Sequence, residues 1–392
     1  MSAGSDLPII IAGGGIGGLA AACALARKGF PVRLLEQSAE FREVGAGIQL
    51  GPNMFRALEK LGLKQRVLDD AYQPPAQEMR DALSGEVITR IPLGEAYRAR
   101  FGQPYALTHR ADLHAALLAA CQASGRVTLE NDRRVVDFVD CRDGVTVQLA
   151  SGEAIAGRAL IGCDGMWSRI RERIVGDGPP LRSGHIAYRA VLRRADVPDD
   201  LWRPDMALWV GPRSHFVHYP LRRGELFNLV AVFHSDHYVE GWNAEGSREV
   251  MWRHFEMQRP EVRRLLERIE TWRMWVLCDR EPIKQWSRGN VTLLGDAAHP
   301  MLQYLAQGAC MALEDAVRLA DSAAATPDDL QGAFRAYQEQ RYLRTGQVQI
   351  MARVYGEVYH ARGVAAELRN RMLAARTPQD GYEALAWLYE GE

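Results

Sequence analysis

The sequence predicts an α/β protein in which a parallel-sheet domain is interrupted by a mixed β-sheet domain and followed by C-terminal helices. The first indication is a set of short apolar runs, each followed directly by a glycine-containing motif, as expected of buried parallel strands. These runs are residues 8–12, 159–163 and 291–294. The second indication is the composition of residues 181–280, whose many Trp, Tyr, Val and Phe residues favour β-sheet. Much of 305–362 then has helical spacing.

The first apolar run leads directly into a glycine-rich turn. Gly13, Gly15 and Gly18 match G-x-G-x-x-G, and residues 19–28 have the composition of a helix whose N-terminus attracts phosphate. Glycine is required where the chain turns tightly and where backbone approaches a pyrophosphate. A second apolar strand ends at Glu36, where a carboxylate accepts hydrogen bonds from a ribose. Together these features predict a Rossmann-type dinucleotide site.

Composition excludes several classes of protein. The hydrophobic content of 47% and the charged content of 25% are those of a globular protein, and the net charge of −1 gives no field that attracts nucleic acid. Residues 7–26 contain no charge, but their glycines and Pro8 argue against a membrane span or a signal peptide. The six cysteines lack metal-ligand spacing, so we expect no metal site. Because no signal peptide is recognised, we expect a reducing, cytoplasmic location.

Turn signals divide the intervening segments into further elements. Residues 76–93 and 127–150 have the pattern of β-hairpins around Ser-Gly and Asp-Gly turns, whereas residues 104–125 have the pattern of a helix. The predicted division is a nucleotide-binding domain over 1–72, 98–180 and 281–335, a β-sheet domain over 73–97 and 181–280, and a C-terminal helical region over 336–392.

Two further motifs follow the second and third apolar runs. Asp164-Gly165 comes directly after one strand, and Gly295-Asp296 comes directly after the other. Taken alone, an Asp-Gly pair is a common turn, and an aspartate in this position is a common helix cap. The order and wide spacing of all three motifs, however, resemble those of the FAD-dependent aromatic hydroxylases, the group A flavoprotein monooxygenases.

This resemblance implies a fold like that of para-hydroxybenzoate hydroxylase, with a discontinuous FAD-binding domain and an inserted substrate-binding domain. It implies FAD as the bound cofactor, NADH as a transient electron donor, and O2, with a flavin hydroperoxide that hydroxylates an aromatic ring. The residues assigned to the cofactor are Gly13, Gly15, Ile16, Gly18, Glu36, Ala46, Gly47, Arg110, Asp164, Asp296, Gly308 and Ala309. A helix beginning near Gly308 would stabilise negative charge on reduced flavin. Arg171 would form an ionic interaction with a phosphate of the cofactor, and His299 would lie beside the flavin ring.

Two segments narrow the expected substrate. Residues 211–222 and 299–309 resemble the 3-hydroxybenzoate 6-hydroxylases of this family more closely than its salicylate 1-hydroxylases. The leading expectation is hydroxylation of 3-hydroxybenzoate para to its hydroxyl, which gives 2,5-dihydroxybenzoate (gentisate). Salicylate or another hydroxyaromatic acid is the alternative, because Gln307 stands where the 6-hydroxylases often have a small residue. A flavin oxidase or a non-enzymatic flavin sensor has no supporting motif.

The resemblance also assigns the residues that contact the substrate. These are His215, Gln303, Tyr105, Tyr219 and Pro300. His215 and Gln303 would hold and polarise the phenol, since a base near the phenolic oxygen makes the ring more reactive. Alternation along the strand places His215 and Tyr219 on one face and His218 on the other. The alternative for His215 is an ordinary sheet histidine.

Two other features complete the expectations. Arg189 and Arg213 are expected to be structural or surface charges rather than part of the site. The C-terminal helices of 335–392 are the candidate face for a homodimer. The expected partners are therefore a small aromatic acid, NADH and O2, with no nucleic acid and no transmembrane segment.

Overall fold

The computed structural model describes residues 7–42, 45–235 and 244–391. The strands are β1 (Ile9–Ala12), β2 (Val32–Leu35), β3 (Gly47–Leu50), β4 (Ala76–Asp81), β5 (Val87–Pro92), β6 (Ala106–His109), β7 (Val127–Glu130), β8 (Val135–Cys141), β9 (Gly144–Leu149), β10 (Ala154–Gly157), β11 (Ala159–Gly162), β12 (Leu181–Arg193), β13 (Met206–Gly211), β14 (Ser214–Leu221), β15 (Leu226–His234), β16 (Ala244–Glu245), β17 (Arg273–Asp279), β18 (Ser287–Arg288) and β19 (Val291–Leu293). The helices are α1 (Ile16–Arg27), α2 (Pro52–Lys60), α3 (Lys64–Asp70), α4 (Glu95–Phe101), α5 (Arg110–Ala123), α6 (Arg169–Ile174), α7 (Arg248–Phe255), α8 (Pro260–Glu267), α9 (Gly308–Ala325), α10 (Leu330–Tyr359), α11 (Val364–Ala374) and α12 (Pro378–Tyr389).

The apolar runs of the sequence form the centre of one parallel sheet. Its strand order is β18-β19-β11-β1-β2-β7, and only the edge strand β18 runs antiparallel to its neighbour. Every residue of β1 and β11 is buried, as expected of strands covered on both faces. These strands come from three distant segments of the chain. Because they are parallel, the carboxyl ends of β1, β2, β11 and β19 lie at one edge of the sheet.

A second, mixed sheet contains the strands of the inserted region. Its order is β16-β17-β12-β15-β14-β13-β4-β5, and only β13 and β4 pair in parallel. The β4–β5 hairpin therefore joins strands that follow it by more than a hundred residues in the chain. One face of the sheet packs under α7 and α8, and the other faces α10 and the turn at 303–305. This second face is the one directed toward the candidate site.

Three boundaries differ from the sequence prediction. The hairpin expected over 127–150 contains only β8 and β9, because β7 pairs parallel with β2 in the other sheet. The helix expected over 104–125 begins only at Arg110, because residues 106–109 form β6 and pair antiparallel with β3. The expected boundary between 335 and 336 falls inside α10, which continues without interruption from Leu330 to Tyr359. The local pattern of apolar residues cannot reveal these differences, because strand pairing and the length of α10 depend on contacts with distant segments of the chain. Among the described residues, no helix is both long and apolar enough to cross a bilayer.

Candidate active site

The glycine motif packs at the carboxyl edge of the parallel sheet. Gly13 has a φ of +109°, and a side chain there would place its Cβ 2.3 Å from the carbonyl oxygen of Cys163 at the end of β11. A Cβ on Gly18 would lie 1.9 Å from the carbonyl oxygen of Gly13. Both distances are far shorter than a contact between non-bonded atoms, so β1, β11 and α1 pack this closely only with glycine at these positions.

The N-terminus of α1 is arranged to bind an anion. Gly15 is its N-cap residue and Ile16 its first residue, and within the described chain no side chain caps this end. Glu36, which follows β2, lies beside this glycine turn. Its Oε2 accepts a 2.6 Å hydrogen bond from the Gly14 amide, and its Oε1 accepts one from the Ser38 amide. The exposed backbone N–H groups and the helix dipole favour a phosphate here.

A second uncapped helix end lies at the third motif. Asp296 is exposed, and its Oδ1 lies 3.7 Å from where a Cβ on Gly308 would be, at the start of α9. In the described structure no side chain caps this end of α9, and its first turn, which includes Ala309, contains no acid. Gln307 is buried and accepts a 2.9 Å hydrogen bond from Asn53, so its side chain has a structural partner.

Asp164 and Arg171 both have structural contacts in the second motif. Oδ2 of Asp164 accepts hydrogen bonds from the amides of Arg169 and Ile170 and so caps α6. Arg171 was expected to face phosphate, but it is fully buried, pairs with Asp177, and donates to the carbonyl of Ala298 at 2.6 Å. The expectation for Arg171 is therefore wrong, because this guanidinium joins the second motif to the third.

His299 is held by contacts within the protein. Its ring is fully buried against Trp286, and Nε2 bonds the carboxylate of Asp315 on α9. Asp315 also accepts a 2.7 Å hydrogen bond from Arg341 on α10. Burial alone would raise the pKa of Asp315, but His299 and Arg341 lower it to about 2. Pro300, the next residue, is buried and accepts a hydrogen bond from Gln349 through its carbonyl.

We expect Asp315→Asn to lower the free energy of unfolding by about 2 kcal/mol, less than a buried charge left alone would cost, because Glu314 still pairs with Arg341. The wild-type contribution is complete above the unfolded pKa of about 4 and is lost as the pH falls toward 2. Denaturant unfolding at several acidic pH values measures it. Unchanged stability of the Asp315→Asn variant at neutral pH would contradict the ion pair's role.

The segment at 45–47 lies between the two sheets. The Gly47 amide donates a 2.7 Å hydrogen bond to Asn228 on β15, and the Arg110 amide donates to the carbonyl of Ala46. A Cβ on Gly45 would lie 2.8 Å from the Cβ of Arg110, so that side chain packs directly along the glycine. The preceding Glu43 and Val44, which belong to the same predicted segment, lie outside the described residues.

The strand β14 divides its side chains as alternation predicts. His215, Val217 and Tyr219 are on the face toward α10, and Val217 packs against the cluster there. His218 is on the opposite face, where its Nε2 accepts a 3.0 Å hydrogen bond from Trp209. A one-residue change of register would exchange these faces, so the placement of His215 and Tyr219 is a property of the pairing with β15.

Tyr105 and Tyr219 meet around a glutamine from β3. Both rings are almost completely buried, and the Tyr105 hydroxyl donates to Oε1 of Gln49. Burial raises the pKa of Tyr219 even though Arg189 and Gln49 oppose that rise. The two phenols therefore remain protonated at neutral pH and act as hydrogen-bond donors.

Arg189 lies in the site, contrary to the sequence expectation. It is opposite Val230, which is opposite Val217, so these three side chains form a row across the face that bears His215. Its Nη2 donates to Oε1 of Gln303, while its buried Nε has no hydrogen-bond partner among the described residues. Burial lowers the pKa of Arg189 to about 10. The guanidinium still carries its charge at neutral pH and has donor capacity to spare.

A cavity of about 1300 Å³ opens beside this arginine. Gly45 and Ala46 line one side, and Arg189 and Trp275 line the other, with the guanidinium 5.2 Å above the centre of the indole ring. The cavity thus connects the segment expected to pass the flavin with the mixed sheet.

A cluster of histidines lies behind His215. Nδ1 of His215 is 2.7 Å from Nε2 of His360, whose Nδ1 is 2.9 Å from Nε2 of His234. His185 pairs with His234 across β12 and β15, and its Nδ1 accepts a 2.5 Å hydrogen bond from Tyr304. Within the described chain, ring nitrogens of His185, His234 and His360 lie within 4.8 Å of one another, a spacing that admits a metal ion. Sequence reasoning missed this cluster because its members are far apart in the chain.

The chain matches the model of the FAD binding domain family over residues 6–348. It is 46% identical over 385 residues to 3-hydroxybenzoate 6-hydroxylase of Polaromonas naphthalenivorans (strain CJ2), covering 98% of this chain and 96% of that protein. It is 44% identical over 380 residues to 3-hydroxybenzoate 6-hydroxylase of Klebsiella oxytoca, covering 97% and 96%. The chain belongs to the family of FAD-dependent aromatic hydroxylases.

Solved structures agree with the fold of this hydroxylase. Klebsiella pneumoniae HpxO complexed with FAD and uric acid superposes with a TM-score of 0.87 at 26% identity, covering 98% of this chain and 97% of that chain. A salicylate hydroxylase substrate complex gives a TM-score of 0.83 at 24% identity, with 99% and 96% covered, and supports the fold alone. The predicted fold like that of para-hydroxybenzoate hydroxylase is confirmed.

The hydroxylase's own residues fit FAD. Two uncapped helix N-termini, those of α1 and α9, lie at one edge of the sheet, and the exposed Asp296 lies beside the second. The first suits a pyrophosphate, and the second suits the electron-rich edge of a reduced flavin. The Glu36 carboxylate, held by the amides of Gly14 and Ser38 at the end of β2, can accept hydrogen bonds from ribose hydroxyls. FAD is therefore the cofactor, and it supplies the oxygen-activating chemistry when bound.

Proposed function

We propose that this hydroxylase converts 3-hydroxybenzoate to 2,5-dihydroxybenzoate (gentisate), using NADH as the electron donor and O2 as the source of the inserted oxygen atom. Two relatives, each covering nearly the whole chain, are named 3-hydroxybenzoate 6-hydroxylases. The observation that carries the proposal is a single sheet face that presents a histidine, a tyrosine and an arginine with spare donors, His215, Tyr219 and Arg189.

His215 is the proposed acceptor of the phenol proton. Its Nδ1 is engaged with His360, which leaves Nε2 as the nitrogen available to a ligand. Removing the proton pushes electron density to the ortho and para ring carbons, and in 3-hydroxybenzoate C6 is para to the hydroxyl. Since chemistry alone also allows C2 and C4, the pocket must select C6 by position.

Arg189 is the proposed partner of the substrate carboxylate. A carboxylate can accept the hydrogen bonds that its buried Nε does not make within the described protein. Strand spacing places Arg189 roughly 10 Å from Val217 across the sheet, while His215 is about 7 Å from Val217 along β14. The two side chains can therefore hold different ends of one small ring. Gln303, bonded to Arg189, would complete the contacts to the phenol.

Product analysis tests the proposal directly. The purified enzyme, reconstituted with FAD, is given NADH and air with 3-hydroxybenzoate or salicylate, and the products are separated by chromatography. We expect gentisate from 3-hydroxybenzoate with stoichiometric NADH oxidation. Catechol as the preferred product, formed from salicylate, would favour the alternative function of a salicylate 1-hydroxylase. Formation of 3,4-dihydroxybenzoate would show that the ring is held in another orientation.

We expect Arg189→Gln to raise the Kd and KM for 3-hydroxybenzoate by roughly 10- to 100-fold, the size of a lost charge-assisted hydrogen bond. Titration of the flavin absorbance with substrate measures the Kd. The matched control is Arg264→Gln on α8, an exposed arginine that pairs with Asp200 and is not among the residues that line the cavity. If both variants bind 3-hydroxybenzoate as the wild type does, Arg189 does not bind the carboxylate.

The quaternary structure is a further part of the proposal. Large apolar side chains are exposed on the last part of the chain, at Leu343, Ile350, Val364, Leu368 and Met372 on α10 and α11. Exposed apolar groups grouped in this way are typical of a protein interface. We propose that this face forms a homodimer.

We also propose the domain division predicted from the sequence, with one change: the C-terminal helical region begins at Leu330, where α10 starts.

A further inference from the structure

His215, His360 and His234 form a continuous hydrogen-bonded path from the buried face of β14 to a partly exposed ring. His215 and His360 are 3% and 5% exposed, whereas His234, at the other end, is partly exposed. The two links of 2.7 Å and 2.9 Å have the length of strong N–H···N hydrogen bonds. His360, the middle ring, uses both of its nitrogens in these two hydrogen bonds, which is the arrangement that conducts a proton.

Backbone contacts hold the path in place. His360 directly follows α10, and its carbonyl accepts a 3.1 Å hydrogen bond from the amide of Arg213. The Arg213 carbonyl in turn accepts a hydrogen bond from the amide of His234 at 3.1 Å. The turn between β13 and β14 therefore fixes the positions of His360 and His234 relative to His215, which lies two residues after Arg213 on β14.

We propose that His215, His360 and His234 form a relay that carries the phenol proton from the substrate to solvent. The proposal rests on the proposed function, because it concerns the proton that a phenolic substrate must lose. The phenol O–H bond breaks and its proton joins Nε2 of His215. The Nδ1 proton of His215 moves to Nε2 of His360, the Nδ1 proton of His360 moves to Nε2 of His234, and the Nδ1 proton of His234 leaves to water. The electron pair of the O–H bond stays on the phenolate.

The surroundings of the relay oppose the storage of a proton within it. Burial lowers the pKa of His215 to about 3 and that of His234 to about 4, and it lowers the pKa of His360 as well. A phenol, with a pKa near 10, would therefore transfer its proton to an isolated His215 only with great difficulty. Transfer through to solvent leaves every ring neutral. The other titratable or charged groups that face the relay are His185, Arg213, His254, Tyr304, Tyr359 and Arg362.

The return of the proton resets the relay. When the hydroxylated ring regains its aromatic structure, the original phenolate oxygen needs a proton again, and Nε2 of His215 now carries one. Reversal of each transfer restores the starting tautomers without any ring rotation. One path thus serves both proton steps of a catalytic cycle.

Anaerobic stopped-flow mixing of the FAD-loaded enzyme with 3-hydroxybenzoate tests the relay, with phenolate absorbance and an indicator dye recording proton loss. We expect His360→Gln to slow phenolate formation by about tenfold or more and to change its solvent isotope effect, while FAD content and substrate Kd stay at wild-type values. His234→Gln should slow the same step, and added imidazole should restore it. The matched control is His185→Gln, in the same cluster but outside the relay, which should deprotonate substrate at the wild-type rate.

Equal rates for the His360→Gln, His234→Gln and His185→Gln enzymes would overturn the relay. If the His360→Gln enzyme does not fold, the His234→Gln enzyme still tests the relay, through its rate of phenolate formation with and without added imidazole. A wild-type enzyme that hydroxylates a different phenolic acid would overturn the proposed substrate instead, and the same comparison with that acid would still decide the relay.

Discussion

Gly18→Ala should abolish retention of FAD during purification while leaving a folded apoprotein. The added Cβ would lie 1.9 Å from the carbonyl oxygen of Gly13, so the backbone at the start of α1 must move. A backbone atom cannot rotate away as a side chain can. The cost of forming the binding-competent backbone should therefore be near the upper end of the usual 1–3 kcal/mol for overpacking, which corresponds to about 100-fold in FAD affinity. The FAD content after gel filtration and the Kd from flavin fluorescence measure the effect.

Gly94→Ala is the matched control for that substitution. Gly94 is the N-cap residue of α4, and a Cβ there, unlike one on Gly18 inside α1, meets nothing within 4 Å in the described structure. This variant should keep its flavin and its unfolding midpoint. If the Gly18→Ala enzyme retains FAD as firmly as the Gly94→Ala enzyme, the close approach of α1 to β1 is not needed for binding.

The second large effect is expected at His215. His215→Ala should leave FAD bound but slow gentisate formation by roughly 10²-fold, the lower end for loss of a general base and equal to about 2.7 kcal/mol. NADH oxidation should continue and release peroxide, because an undeprotonated ring reacts poorly with activated oxygen. Product formation, NADH consumption and peroxide, measured together, give the degree of coupling.

His218→Ala controls for the loss of a buried histidine from the same strand. His218 faces away from the site and bonds Trp209, so its removal should lower stability without reducing the fraction of NADH coupled to hydroxylation. Equal uncoupling in both variants would indicate a general loosening of the sheet. Gentisate formation at the wild-type rate by the His215→Ala enzyme would make His215 an ordinary sheet histidine.

Local sequence signals were sufficient to predict the nucleotide-binding half of this enzyme. The glycines at 13 and 18 and the acid at 36 are such signals, because a tight turn and a phosphate-binding helix end need particular residues at fixed spacing. Alternation likewise predicted that His215 and Tyr219 share a face, since side chains on a strand point to opposite sides in turn. The resemblance to the aromatic hydroxylases then extended these local features to the cofactor and the reaction class.

The charges that lie inside the site are set by long-range packing instead. Strand register places Arg189 in the lining of the cavity, and helix packing places Arg171 in the core. The local sequence around an arginine does not distinguish these two environments. His299 turned inward for the same reason, since its partner Asp315 is on a helix that packs against it. The pairing of β14 with β15 brings His215 and His234 together, and the end of α10 adds His360. His360 is more than a hundred residues from both of the others in the chain. No local pattern encodes such a meeting, because burial and long-range pairing are properties of the folded chain.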